Sequence, residues 1–288
     1  MYSNKLYTPL RYPGGKARFA PFISQVIAQN NLSGGHYLEP YAGGAGVALE
    51  LLFHGCVSEV HINDADPAVW AFWNAATRHS RALITLVQEC EISIDEWHRW
   101  RPIMLGLTPA NEIERGFATL FMNRTNRSGI LKGGVIGGKQ QLGEYRLDAR
   151  FNRTDLVRRL TRIGEHCDNI HVYGEDALQL LARCGKFLPR KTLLYLDPPY
   201  YVKGQGLYRN YYDHDDHAKI ARFVQRERFA KSWVVSYDNV SEIREMYAAS
   251  KSVEYGLRYT AQEKYVGEEI MFFGDRLEVP STELLLAA

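Results

Sequence analysis

The sequence predicts a mixed α/β fold, with a mainly parallel central sheet interrupted by a mainly helical insert. Three observations carry this reading. Short strand-like runs alternate with helix-spaced segments near both ends of the 288-residue chain, the pattern of a sheet with helices packed on its faces. From Thr77 to Glu165 the alternation gives way to helical segments around a glycine-rich stretch (Gly129, Gly133, Gly134, Gly137, Gly138, Gly143). Positive charge gathers in the same region: Arg115 to Arg162 holds 11 Lys and Arg against three acids, net +8, so the rest of the chain carries −6. The expected layout is a first part of the sheet domain over residues 1–76, an insert over 77–165 and a second part over 166–288.

The elements follow in order. After the tight turn Pro13-Gly14-Gly15, Ala17 to Asn30 reads as helical. His36-Tyr37-Leu38-Glu39-Pro40 is a short strand, Val47 to Phe53 a helix, and Val57 to Ile62 the next strand. Asp66 starts a helix over Pro67 to Ala76, since an N-cap acid before Pro is a helix-start signal. A basic helix over Asp155 to Glu165 closes the insert. Strands then recur at Ile170 to Tyr173, Thr192 to Leu196, Trp233 to Ser236 and Glu269 to Phe273, with a helical run over Ala218 to Arg228.

Composition is that of a globular protein, 45% hydrophobic and 24% charged. No apolar run reaches the roughly 18 residues of a membrane span, and Met1 to Lys5 lacks the apolar stretch of a signal peptide, so a cytoplasmic protein is expected. Cys56, Cys90, Cys167 and Cys184 form no CxxC pair and read as reduced core residues. The basic segment suits a polyanion-binding face, because Lys and Arg that neutralise phosphates supply most non-specific nucleic-acid affinity; the alternative is a solvated basic helix.

Asp197-Pro198-Pro199-Tyr200 follows the apolar run Thr192 to Leu196, at the carboxyl end of a buried strand. The Asp197 carboxylate and the Pro198 carbonyl can each accept a hydrogen bond from an exocyclic amine, and Tyr200 offers a ring for a nucleobase. Pro198 and Pro199 remove two backbone donors and fix two φ angles, so the acceptors are pre-positioned. A strand-end turn is the plain alternative. Glu39-Pro40-Tyr41-Ala42-Gly43-Gly44-Ala45-Gly46 lies between strand and helix, where glycines let backbone approach a ligand. Asp64, about 20 residues on at a strand end, is placed to hold the hydroxyls of a ribose, or to cap a helix. Arg11-Tyr12-Pro13-Gly14-Gly15-Lys16 forms a turn bearing an ammonium, too short to be a phosphate loop of the GxxxxGK type.

Taken in order, these motifs resemble the Dam-like adenine-specific DNA methyltransferases over nearly the whole chain. Tyr12-Pro13-Gly14-Gly15-Lys16, Glu39 to Gly44, Asn63-Asp64 and Asp197 to Tyr200 match the family's pattern, as do Asn123 to Gly129 and Leu142 to Asn152 in the insert. The resemblance implies a Rossmann-like methyltransferase sheet with a target-recognition insert, S-adenosylmethionine as cofactor and double-stranded DNA as substrate. It implies a cofactor site of Tyr12, Lys16, Pro40, Ala42, Gly43, Gly44, Gly46, Asp64, Asp176 and Asp197, although Asp176 is also well placed to cap a helix. It implies catalysis by Asp197, Pro198, Pro199 and Tyr200 on a base flipped out of the duplex. Arg124, Asn126, Arg127 and Lys132 are the expected DNA contacts. A restriction endonuclease partner and the oligomeric state have no signature in the sequence.

Other readings share part of this pattern. An amine acceptor also suits cytosine or RNA methylation, and the glycine turn with its acid suits a nicotinamide-dependent dehydrogenase, which leaves the acid-Pro-Pro-Tyr motif unexplained. A DNA-binding protein with an inactive transferase fold would not need Asp197. Asp213-His214-Asp215-Asp216-His217 contains metal-ligand residue types but precedes a helix, so capping is expected and no metal. Trp70, Phe72 and Trp73 read as packing, whereas Tyr208, Tyr211 and Tyr212 could cover a flipped base or form an ordinary surface loop. Ser236 to Asn239 could line the pocket or cap a helix.

Overall fold

The computed structural model describes residues 7–12, 14–202, 212–227, 229–259, 265–281 and 283, so Pro13, Tyr208, Tyr211, Arg228 and the first six residues lie outside the described set. In chain order it contains α1 (Ala20–Gln29), β1 (His36–Glu39), α2 (Gly46–Phe53), β2 (Glu59–Asn63), α3 (Pro67–Arg78), α4 (Ser80–Glu89), α5 (Ile94–Leu105), α6 (Glu112–Thr125), α7 (Arg153–Glu165), β3 (Ile170–Tyr173), α8 (Ala177–Cys184), β4 (Thr192–Leu196), α9 (His214–Val224), β5 (Ser232–Asp238), α10 (Ser241–Met246), β6 (Lys251–Tyr259) and β7 (Tyr265–Phe273). The sheet order is β3-β2-β1-β4-β5-β7-β6. β1 pairs in parallel with β2 and β4, and β4 with β5; β7 runs antiparallel between β5 and β6. Every residue of β4 is buried, as a strand covered on both faces requires.

By contacts the chain divides into two compact units, one of residues 1–6, 16–65 and 175–288, the other of 7–15 and 66–174. In the first, β1 and β2 are joined by a ring-to-ring contact, His36 Nδ1 to His61 Nε2 at 3.0 Å with the rings 19° from parallel and Glu59 3.5 Å from His36 Nε2. Which ring donates depends on the imidazole tautomers, and the ligand-type atoms of His36, Glu59 and His61 all lie within 4.8 Å of one another, close enough to hold an ion. In the second unit, α3 and α6 cross closely at Gly116, where a Cβ would fall 2.6 Å from that of Ala75. Thr119 there donates to the Ala68 carbonyl at 3.0 Å.

Several expectations shift in detail. Ala17–Phe19 is a 3-10 turn ahead of α1 rather than its first turn. α9 begins at His214, not Ala218, because Asp213 and Asp216 form a reciprocal capping box, and the acidic tract therefore serves as a cap. β6 was not anticipated, although Val253, Tyr255, Leu257 and Tyr259 alternate at strand spacing. Of the four cysteines only Cys184 is fully buried, so Cys56, Cys90 and Cys167 are not core residues. Among the described residues no helix is long and apolar enough to cross a membrane.

Candidate active site

β1 and β4 are parallel neighbours, and the sheet grows away from them in opposite directions, to β2 on one side and β5 on the other. Such a switch point leaves a crevice at the carboxyl ends of the two strands, where open α/β sheets bind ligands. The Glu39–Gly46 turn follows β1 and Asp197–Tyr200 follows β4, so both motifs border that crevice.

In the first of these, Gly43 has φ +46° and Ala45 is left-handed too. Gly46 approaches Ala17 so closely that a Cβ would fall 2.8 Å from the alanine's own, and a larger residue would displace the turn carrying Lys16. Ala45 has no side chain to cap α2. Glu39 supplies the acceptor instead, its Oε1 taking the Ala48 amide and the Tyr37 hydroxyl, each at 3.0 Å. Burial pushes the Glu39 carboxyl up to about 8, against those two hydrogen bonds, which pull it down.

The end of β2 braces the same turn. Asn63 Nδ2 donates to the carbonyls of Pro40 (2.9 Å) and Glu175 (3.0 Å), and Asp64 Oδ2 accepts the Gly43 amide at 3.0 Å. α3 is capped by Asp66, so the capping alternative for Asp64 falls away. Asp176 does cap: its Oδ1 accepts the amides of Leu178 and Gln179 at the start of α8, and the side chain is exposed. Pro40, Ala42, Gly43 and Gly44 are buried; Tyr12 is half-buried in the second unit, its carbonyl accepting the Gly15 amide.

At the end of β4, Asp197 Oδ1 accepts from the Ser236 hydroxyl at 2.6 Å, and Ser236 in turn pairs with the Tyr195 hydroxyl at 2.9 Å. The amides of Tyr201 and Val202 donate to Asp238 at 2.9 and 3.1 Å, fixing the chain just past the two prolines. Burial raises the Asp197 carboxyl to about 6; Lys16, 3.9 Å away, and the Ser236 bond lower it, and the charge of Glu269 adds to the rise. The ionised form therefore prevails at pH 7 and is lost as pH falls through about 6. A reaction that needs this carboxylate charged should show an acid limb there. Ser236→Ala removes a bond that favours the charged form, so the limb should move to higher pH by up to about one unit. A limb left in place in the pH profile of kcat/KM would mean that Ser236 does not tune Asp197.

Behind Asp197 lies a buried network. Lys16 Nζ is 2.6 Å from Glu269 Oε2 and donates to the Tyr200 hydroxyl at 2.9 Å. Tyr200 donates to Glu269 Oε1 (2.7 Å) and Tyr255 to Oε2 (2.8 Å). Three donors on one carboxylate offset the cost of burying the pair. Tyr200 is 4% exposed, and its ring lies 5.2 Å from Lys16 Nζ. The open stacking face expected of Tyr200 is thus not what the structure presents, because its hydroxyl is drawn inward by Glu269 and Lys16. Glu269 and Tyr255 had no place in the sequence-based site. The signal for Glu269 was an acid leading straight into the wholly apolar run Ile270 to Phe273, all of it buried, where a charge needs a partner.

In the second unit, two of the four expected DNA contacts face inward. Arg124 is 9% exposed and donates through Nε (2.7 Å) and Nη2 to the Pro9 carbonyl and through Nη1 to that of Arg150 (3.5 Å). Asn126 is fully buried, accepting from the Trp97 indole at 2.7 Å and donating to the carbonyls of Ile130 and Leu131. Their polar groups are spent on backbone and ring partners and do not reach a ligand at the surface. Arg127 and Lys132 are exposed.

Curated proteins give no match to the chain. Among solved structures, a protein from Listeria monocytogenes assigned as a class I S-adenosylmethionine-dependent methyltransferase matches 92% of this chain at 10% identity, with a TM-score of 0.38; this chain spans 62% of that protein's length. The family model for the D12 class N6 adenine-specific DNA methyltransferases matches residues 12–261, most of the chain and every motif described above, and the protein belongs to that family.

Proposed function

We propose that this chain transfers a methyl group from S-adenosylmethionine to N6 of adenine in double-stranded DNA. The observation that carries the proposal is the pairing of two motifs at one switch point, an amine acceptor after β4 and a glycine turn braced by a strand-end acid after β1. The cofactor supplies an activated methyl group, so no metal or strong base is required. The donor set fits it: the Gly43–Gly44 backbone permits close approach, Asp64 is fixed to accept ribose hydroxyls, and exposed Asp176 is available to an adenine amine. Pro40, Ala42 and Gly46 shape the turn, and Lys16 completes the set within this unit.

Asp197 and the Pro198 carbonyl accept the two hydrogens of the target amine, and Pro199 holds that carbonyl in place. This favours the pyramidal nitrogen that attacks, and the carboxylate stabilises the positive charge developing on it. Tyr200 anchors the far end of the turn through Glu269. The insert, around residues 77–165, recognises the target, with Arg127 and Lys132 toward the phosphates.

Incubation with duplex DNA and labelled S-adenosylmethionine should yield N6-methyladenine at defined sites; label on cytosine alone, on RNA alone, or nowhere would refute the proposal. Asp64→Ala should weaken cofactor binding at least roughly tenfold, the scale of a lost charged hydrogen bond. Unchanged affinity would leave Asp64 only the task of bracing Gly43. The adenine is flipped from the helix, so a mismatch opposite it should tighten binding, because part of the few kcal/mol of unpairing is already spent. Equal affinity for matched and mismatched duplexes, with no brightening of 2-aminopurine at the target, would count against an extrahelical base.

A further inference from the structure

β1 and β2 bring three metal-binding side chains together at the end of the sheet away from the crevice. Glu59 and His61 are two residues apart on β2, so both point to one face of the sheet. The parallel register sets His36, the first residue of β1, beside Glu59. His36 Nδ1 lies 3.0 Å from His61 Nε2, and His36 Nε2 lies 3.5 Å from Glu59 Oε1. Taking one ligand-type atom from each residue, all three atoms lie within 4.8 Å of one another. The three residues belong to the first unit and are carried by paired strands rather than by a loop.

The donor set selects the ion. Two imidazoles and a carboxylate suit zinc and its first-row neighbours, whereas calcium and magnesium take oxygen ligands. Zn–N bonds of about 2.0–2.1 Å at tetrahedral angles hold two nitrogens about 3.3 Å apart, so the rings need part by only a few tenths of an ångström. Each neutral imidazole then turns a bare nitrogen to the ion and carries its proton on the other, while the carboxylate offsets one of the two positive charges. His61 is 4% exposed, with the Phe187 ring 5.8 Å from its own between centroids, whereas His36 and Glu59 are half-buried. That leaves the fourth position to water. His36 precedes Glu39, the last residue of β1, by three positions, about 10 Å along a parallel strand. An ion held here joins strands and stands apart from the methyl-transfer chemistry.

We propose that His36, Glu59 and His61 bind one zinc-class divalent ion, which cross-links β1 to β2 and stabilises the sheet. The site is independent of the methyltransferase reading, because its ligands are none of the residues assigned to cofactor or target base.

The test uses the full chain, stripped with a chelator and then titrated with Zn2+ by calorimetry and with Co2+ by its d–d absorption. One ion per chain should bind with a Kd of about 1 μM or tighter, the range open to a site with fewer ligands than a zinc finger. At about a hundredfold excess over Kd, Zn2+ should raise Tm by at least about 5 °C. Mg2+ and Ca2+ should not displace it. Glu59→Gln, at a side chain 33% exposed, keeps the shape of the face and removes its charge; it should weaken Zn2+ binding at least about tenfold, as should His36→Gln. Each variant's own Tm after stripping is its reference, so lost stability by itself does not count as a lost ion. If the triad is only a hydrogen-bonded chain, no ion binds and the proposal fails. It fails equally if Mg2+ or Ca2+ displaces the ion, if a cobalt–thiolate charge-transfer band places it on a cysteine, or if both variants keep the wild-type affinity and Tm rise.

Discussion

Replacing Asp197 with alanine is expected to slow methyl transfer at least about a hundredfold, the typical loss when a group that stabilises transition-state charge is removed. Asp197 sits at the end of β4, is only half-buried and has its pKa raised to about 6, so at pH 7 the ionised carboxylate costs the folded protein stability rather than adding to it. Its removal should not lower the thermal transition. Asp197→Asn separates charge from shape: the amide keeps an oxygen for Ser236 and for the target amine but no negative charge, and it too should lose about two orders of magnitude. The measurement is a single-turnover rate with labelled cofactor beside a thermal melt of each variant. A rate above about a hundredth of wild type in the alanine protein would take the carboxylate out of the chemistry.

The second large effect is on stability. Burial, with the positive charges of Arg159 and Arg11 nearby, lowers the Arg124 pKa to about 9, against the pull of Asp155, so the side chain still carries its charge at pH 7. Arg124→Ala strips a charged donor from the Pro9 and Arg150 carbonyls and should cost about 3 kcal/mol, within the range for breaking buried charged hydrogen bonds. In a chain of this size that corresponds to a fall in Tm of roughly 5–10 °C. Arg127→Ala should do the opposite: stability within about 0.5 kcal/mol of wild type, as for surface substitutions, and a log–log salt slope of DNA binding reduced by about one. If Arg124→Ala melts like wild type and binds DNA more weakly, the arginine turns outward in solution and reads phosphate after all.

The fate of Arg124 marks where local reading stops. Arg, Asn and Lys after a helical run suggest a surface, and for Arg127 and Lys132 exposure agrees. Yet Arg124 falls seven residues after Phe117 and three after Phe121, on the stripe that also includes Leu120, and all three apolar residues are fully buried. Residue type gave no warning, because α6 is buried on every side from Gly116 to Thr125, and a long side chain on such a helix must find its acceptors inside.

The acid-Pro-Pro-Tyr motif after a wholly apolar strand, the glycine turn before α2 and Asp66 as the cap of α3 were all legible from sequence. Each depends on a few consecutive residues: a strand buried on both faces must be apolar throughout, a left-handed turn favours glycine, and an N-cap needs a short acceptor. What holds Asp197 and Tyr200 was set by sheet pairing. The register of β7 places Glu269 opposite both Asp238 and Tyr255, and a slip of one residue would turn Glu269 to the other face. The sequence by itself therefore determined the family, the strand ends that carry the chemistry and the residue types available there. Only the tertiary structure decided that Lys16 is held by Glu269, that Ser236 meets Asp197 and that Arg124 serves the core, because those partners lie far apart in the chain and meet only through register and packing.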